Sequence, residues 1–253
     1  MRKIICCLLT LCLLLLTTAS LVSCEAFDTP QTMVTRATAK TAMQDSYEGT
    51  VFMDLSFELF GQDMQINISS DLKATGLHSE NSTVEMKTTV DALGKRVQTT
   101  SYQKDGWSYV VTPNASYKTK IDEDSGANAT AASILKEIPK DLFEGTEIVK
   151  AEDGTRSVTV TLPSEVFAQL YDELVDEMMG TLGADIEFTV SDAVVSISVK
   201  DGLISLYDIR FTMTVQSLGM NLDMDAKASI AFTKYGGVTV QMPTNYENFK
   251  EQK

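Results

Sequence analysis

From Gly49 onward the apolar residues recur with a period of two, and that alternation restricts most of the chain to β-structure. Val51, Met53, Leu55, Phe57 and Leu59 alternate with Phe52, Asp54, Ser56, Glu58 and Phe60. Successive side chains of a strand point to opposite faces, so this spacing predicts a long strand with one dry face. Gly61-Gln62-Asp63 predicts a turn, after which Met64, Ile66, Ile68 and Leu72 alternate with Gln65, Asn67, Ser69 and Asp71. Strands are expected over 84–90 and 96–103, separated at Gly94, and Lys104-Asp105-Gly106 reads as a hairpin turn into Trp107, Tyr109 and Val111. Pro113-Asn114 breaks that strand, and Tyr117, Thr119 and Ile121 resume it. Residues 148–162 predict a hairpin turned at Asp153-Gly154, with Val158, Val160 and Leu162 inward. Further strands are expected at 186–190, at 195–199, at 204–215 after Asp201-Gly202, from Met220 through Ala226, and at 238–242 after Gly236-Gly237. Short turns between consecutive strands imply an antiparallel meander.

Helices punctuate this pattern. Residues 33–47, rich in Ala, Thr and Lys, predict a short helix with Val34, Ala37 and Met43 on its apolar side. Residues 129–143 predict a helical insertion that Pro139 should end or kink. Ser164 is a good N-cap for a helix carrying Val166, Leu170, Leu174 and Met178 as a stripe, which Gly180 stops. The tail after Pro243 is polar, with Tyr246 and Phe249 available to dock. The fold class is α+β: an antiparallel sheet with helices packed against it.

The amino terminus follows a different grammar. Arg2 and Lys3 precede an apolar run over residues 4–16, and residues 17–23 turn small and polar, the order of an export signal. The run is shorter than the ~20 residues of a spanning helix. Extending it to Val22 nearly reaches that length, so an uncleaved anchor helix is the alternative. Leu21-Val22-Ser23-Cys24 resembles the bacterial lipobox, and this favours cleavage. The resemblance implies cleavage before Cys24, a diacylglycerol on its sulfur, and residence on the outer face of the bacterial cytoplasmic membrane. Residues 1–23 are then the signal, 24–32 the lipidated cysteine and tether, and 33–253 the folded domain. Two or more acyl chains give stable anchoring where one does not.

Charge and cysteine content exclude several classes. The chain carries 21 Lys and Arg against 35 Asp and Glu; Arg2 and Lys3 lie in the signal, leaving 19 against 35, a balance of −16. That sign opposes nucleic acid and anionic lipid surfaces. Cys6, Cys7 and Cys12 also lie in the signal, so the mature chain keeps Cys24 alone and has no disulfide framework. His78 is the only histidine, which rules out a Cys/His metal cluster. No nucleophile elbow, phosphate loop or metal-ligand spacing appears, no cofactor or catalytic residue is indicated, and the chain does not read as an enzyme. Four Asn-x-Ser/Thr sites are chance matches if the lipobox reading holds.

Methionine is unusually frequent on strands: Met53, Met64, Met86, Met213, Met220 and Met224 stand where Val and Ile are usual. Met either fills irregular gaps or lines a surface that adapts to varied apolar ligands. The order of elements, with Asp105-Gly106-Trp107-Ser108-Tyr109 and Tyr117-Lys118-Thr119, resembles the LolA/LppX-like carriers and related small Gram-positive lipoproteins. That resemblance implies a strongly curved antiparallel sheet, an open half-barrel, with helices on its concave side and acyl chains held between. The candidate ligand-binding residues are Met64, Ile66, Ile68, Met220, Leu222 and Met224. The expected partners are the membrane, through acyl chains on Cys24, and an apolar ligand or lipid. The competing reading is a cell-surface interaction or sensor module whose core is filled by its own side chains.

Overall fold

A computed structural model describes residues 28–79, 81–121, 138–170, 187–217 and 220–252. The signal, Cys24, most of the predicted insertion over 129–137 and the second half of the helix predicted from Ser164 lie outside the described residues.

Helix α1 spans Pro30–Ala42, starting three residues before the expected Met33 and ending before the expected Tyr47. Its start is set by a reciprocal cap: the Thr32 amide donates to Thr29 Oγ1 at 3.2 Å, and the Thr29 amide donates to Thr32 Oγ1 at 2.8 Å. Pro30 at the first helical position lacks an amide that would have no partner there, so a residue expected in the tether starts the helix instead. Just ahead of the cap, the buried Asp28 carboxylate is held between Arg36 at 2.6 Å and Arg156 at 3.0 Å.

The strands are β1 (Ser46–Leu59), β2 (Gln62–Thr75), β3 (Thr83–Ala92), β4 (Lys95–Lys104), β5 (Trp107–Val111), β6 (Ser116–Lys120), β7 (Val149–Lys150), β8 (Arg156–Leu162), β9 (Glu187–Val190), β10 (Ala193–Lys200), β11 (Leu203–Ser217), β12 (Met220–Tyr235) and β13 (Lys250–Glu251). They form one open sheet in the order β13-β6-β5-β4-β3-β2-β1-β12-β11-β10-β8-β7, with β9 beside β11 beyond the end of β10. Every pairing is antiparallel except β13 with β6. Strand β12 is much longer than the segment read from the sequence, because Lys227, Ser229 and Ala231 continue its wet face while Ala228, Ile230 and Phe232 continue the dry one. The strand expected at 238–242 does not form. After Gly236-Gly237 the chain leaves the sheet; Val238 is buried, and its amide reaches Ser46 Oγ at 3.4 Å.

The core lies on one face, toward one end of the strands. Met33, Val34 and Ala37 of α1 pack with Val158, Val160 and Leu162 of β8, Val195, Ile197 and Val199 of β10, and Ile204, Tyr207 and Ile209 of β11. A helix α2 begins with residues 164–170, and its Phe167 joins this core and meets Phe211 with ring centroids 4.7 Å apart. Thr41 is buried because its hydroxyl accepts the Ile204 amide at 3.0 Å, which ties the last turn of α1 to the start of β11. The Tyr235 hydroxyl donates to the Ile204 carbonyl at 2.5 Å.

Burial pushes the Tyr235 phenol well above its usual range, against a smaller opposing hydrogen bond with Thr41. The folded protein therefore holds this proton more tightly than the unfolded chain, whose tyrosines ionise at pH ~10. The stability it contributes is complete below that pH and falls as pH rises toward the folded value. The stability difference between the parent and Tyr235→Phe should shrink in urea titrations taken from pH 8 toward pH 11. Parallel curves would contradict the assignment.

The opposite face carries a second, smaller cluster. Tyr246 and Phe249 dock edge-on against Tyr109, with centroids 5.1 and 6.2 Å away, as the sequence suggested they could. Lys104 donates to the Tyr246 hydroxyl at 3.3 Å, Lys118 donates to the Glu247 carbonyl at 2.9 Å, and the Gln252 amide donates to the Lys118 carbonyl at 2.9 Å. The tail thus lies along the back of β5 and β6 and supplies β13.

Candidate functional site

Strand register decides which apolar residues meet. On the face that carries α1, Met53 stands opposite Ile68 of β2 and Ala228 of β12; Leu55 opposite Ile66 and Ala226; Phe57 opposite Met64 and Met224. Strand β11 extends these rows with Ile209, Phe211 and Met213, and β3 adds Val90 and Ala92. Every one of these positions is apolar, across five adjacent strands. At about 4.8 Å per strand and about 6.7 Å between rows, this makes a floor roughly 19 Å wide and 13 Å deep.

The floor continues the core toward the other end of the strands. Val51, Ala228 and Phe211 pack against the core cluster, whereas Leu55, Phe57, Met64, Ile66 and Met224 lie beyond it. Leu55, Phe57, Met64, Ile66, Ile68 and Met224 are half-buried, while Met213 and Ala226 are buried.

Five of the six candidate residues lie on this face with their side chains described: Met64, Ile66 and Ile68 on one side of β1, and Leu222 and Met224 on the other. Met220 opens β12 opposite Ser217, at the same parity as Leu222 and Met224. The sequence reading missed the strand between them. Met53, Leu55 and Phe57 were legible as a dry face, but only the pairing of β1 with both β2 and β12 places them at the centre. Met86, also expected to be notable, pairs with Leu72 and is exposed, away from these rows.

The back of the same strands is largely polar, and several of its side chains pair with one another. Gln65 donates to Asp54 at 2.9 Å, Thr212 to Asp225 at 2.9 Å and Thr214 to Asp223 at 2.6 Å. Asp208 is paired with Arg210 at 3.0 Å and Lys227 at 3.8 Å. A shallow groove of about 470 Å³ runs here, lined by Asp54, Gln65, Asp192, Arg210, Asp225 and Lys227 among others. Phe211 and Ala226 also line it, but its charged and amide groups are hydrogen-bonded to one another and would lose water under an acyl chain. Among the described residues no group of His, Cys, Asp or Glu is arranged to hold a metal ion, and no helix is long and apolar enough to cross a membrane.

No family model and no curated protein matches the chain. Among solved structures it is similar to LprF from Mycobacterium bovis, with 15% identity over 85% of this chain and 95% of that one and a TM-score of 0.45. It is also similar to a DUF1329 family protein from Desulfovibrio piger, with 10% identity over 84% and 95% and a TM-score of 0.29. A third is a LolA superfamily protein from Nitrosomonas europaea, with 10% identity over 85% and 96% and a TM-score of 0.27.

Proposed function

We propose that this is a lipid-anchored extracytoplasmic protein that holds an apolar ligand, a lipid or acyl chain, against the floor built on β1, β2, β11 and β12. One observation carries this reading: apolar side chains continue past the core, half-buried and free of charge, on one face of β1, β2 and β12, whose backs are largely polar. Methionine at Met53, Met64, Met213 and Met224 gives that floor soft, rotatable side chains that can follow varied chain shapes. In the half-barrel arrangement that the family resemblance implies, this floor is the concave side. Burying an acyl chain gains about 0.8 kcal/mol per methylene, so ten methylenes give roughly 8 kcal/mol before association costs. Micromolar affinity needs about 8 kcal/mol net, so a chain of about sixteen methylenes, roughly 13 kcal/mol gross, reaches it when association costs about 5 kcal/mol. Titration of a fluorescent fatty acid or lysolipid into protein purified without detergent should give saturable binding. Absence of saturable binding would favour the competing function, an interaction module with a self-filled core.

The anchor rests on Leu21-Val22-Ser23-Cys24. Cys24→Ala should leave the precursor unprocessed or release the protein into the medium, and metabolic labelling with a fatty acid should mark the parent alone. Label persisting in the variant would refute lipidation at Cys24.

A further inference from the structure

Two neighbouring hairpins turn at the same end of the sheet, and both put a large apolar residue where the backbone disfavours one. The β1–β2 turn is Phe60-Gly61, with φ of 53° and 75°; the β3–β4 turn is Leu93-Gly94, with φ of 52° and 73°. At the opposite end, the β4–β5 and β10–β11 turns have the same geometry but use Asp105-Gly106 and Asp201-Gly202. Aspartate tolerates the left-handed region because its short side chain bonds the nearby backbone; phenylalanine and leucine have no such compensation. Folding therefore gives no reason for Phe60 and Leu93, which are also 88% and 66% exposed. With Leu59 and Val97 beside them, this rim holds four of the eight exposed large apolar side chains among the described residues.

We propose that the rim is a lipid-surface docking site, in which Phe60 and Leu93 insert into the interfacial zone of a bilayer. Three observations favour a bilayer over a protein partner. The apolar side chains are separate prongs set among charges, whereas the centre of a protein interface is depleted of charge. Those charges are mixed: Glu58 and Asp63 flank Phe60, while Lys95 and the Asp91-paired Arg96 flank Leu93. That arrangement fits zwitterionic headgroups, and the lysine stem can lie along the interface with its ammonium in water. The prongs also continue the apolar floor, since Leu59 follows Phe57 on β1 and Val97 stands opposite Val90. Ladder register sets the Leu93 turn back by about four residues, roughly 13 Å, because Ala92 faces Ile66 whereas Gln62 closes the Phe60 turn. The bilayer plane therefore crosses the strands obliquely. Docking at the rim does not depend on the floor holding a ligand.

The single tryptophan, Trp107, allows a direct test. In a Trp107→Phe background, Phe60→Trp, Leu93→Trp and the opposite-end control Asp105→Trp are each made in the full chain. The proteins are reconstituted in phosphatidylcholine vesicles, with brominated lipid either in the same vesicles or in a second population. Quenching at the two rim positions should exceed the control by about threefold or more in at least one placement. Quenching equal to the control in both placements would overturn the proposal, as would a blue shift that appears only when soluble protein is added. A Phe60→Asn, Leu93→Asn double variant supplies the second arm. Asparagine suits these turns, so the unfolding midpoint should not fall, while vesicle docking should drop about tenfold or more. Undiminished docking by that variant would equally sink the idea.

Discussion

Gly49→Ala is expected to be among the most destabilising single-methyl additions in this protein. Gly49 sits at the β-bulge in β1, facing Leu72 on one side and Phe232 on the other. A Cβ there would lie 2.5 Å from the Ala231 carbonyl oxygen and 3.3 Å from the Phe232 Cα. Both are backbone atoms of β12, so no side-chain rotation relieves the clash. Relief requires β1 and β12 to separate where they join the two halves of the sheet, with loss of ladder hydrogen bonds and of packing around Tyr47 and Phe232, whose rings meet at 5.4 Å. Overpacking costs roughly 1–3 kcal/mol where side chains can yield, and this backbone clash is expected at or above the top of that range, a large share of a typical total of about 5–15 kcal/mol. Urea unfolding should show the midpoint falling sharply with the slope unchanged. A variant within about 1 kcal/mol of the parent would mean that the bulge opens freely.

The largest functional effect is expected from charging the floor. Met64 and Met224 flank Phe57 from opposite sides, and both are half-buried. In Met64→Asp, Met224→Asp the two carboxylates can keep water while the site is empty but lose it when an acyl chain covers them. Burying even one without a partner costs several kcal/mol or forces it to take up a proton. Affinity for a fluorescent fatty acid should fall by at least about 100-fold, equivalent to about 3 kcal/mol. The far-ultraviolet circular dichroism should stay that of a sheet-rich fold. Unchanged affinity in a folded variant would remove the floor as the binding surface.

Much of the sheet was legible because period-two alternation is local. The dry sides of β1, β2, β8, β10 and β11 follow from the sequence alone, as do the glycine turns at residues 106, 154 and 202. What was not legible depends on partners distant in sequence. Val238 reads like the start of a strand, yet its burial near Ser46 comes from a loop crossing the sheet end rather than from a ladder. Pro30 reads as a tether residue until Thr29 and Thr32 are seen to cap a helix around it. The candidate site was half legible: Met64, Ile66, Ile68, Leu222 and Met224 were recognisable as adaptable strand residues, but the sequence could not show that β1 lies between their strands. Phe57, between Met64 and Met224 in the outermost row of the floor, therefore looked no different from any other apolar strand position.

Both ends of the sheet finish in strands of two residues, β13 and β7, and each contains a lysine, Lys250 and Lys150. A wide open sheet invites other copies to add strands at its margins, and short, charged terminal strands are a known way to blunt that tendency. At one margin the cover is drawn from the chain's own carboxyl-terminal tail, held by Tyr246 and Phe249. If the chain is held on a membrane as proposed, where neighbours meet often and in similar orientations, residues 243–252 become a guard against edge-to-edge polymerisation. Loss of the tail would be felt first as fibre-like self-association and only second as a loss of fold.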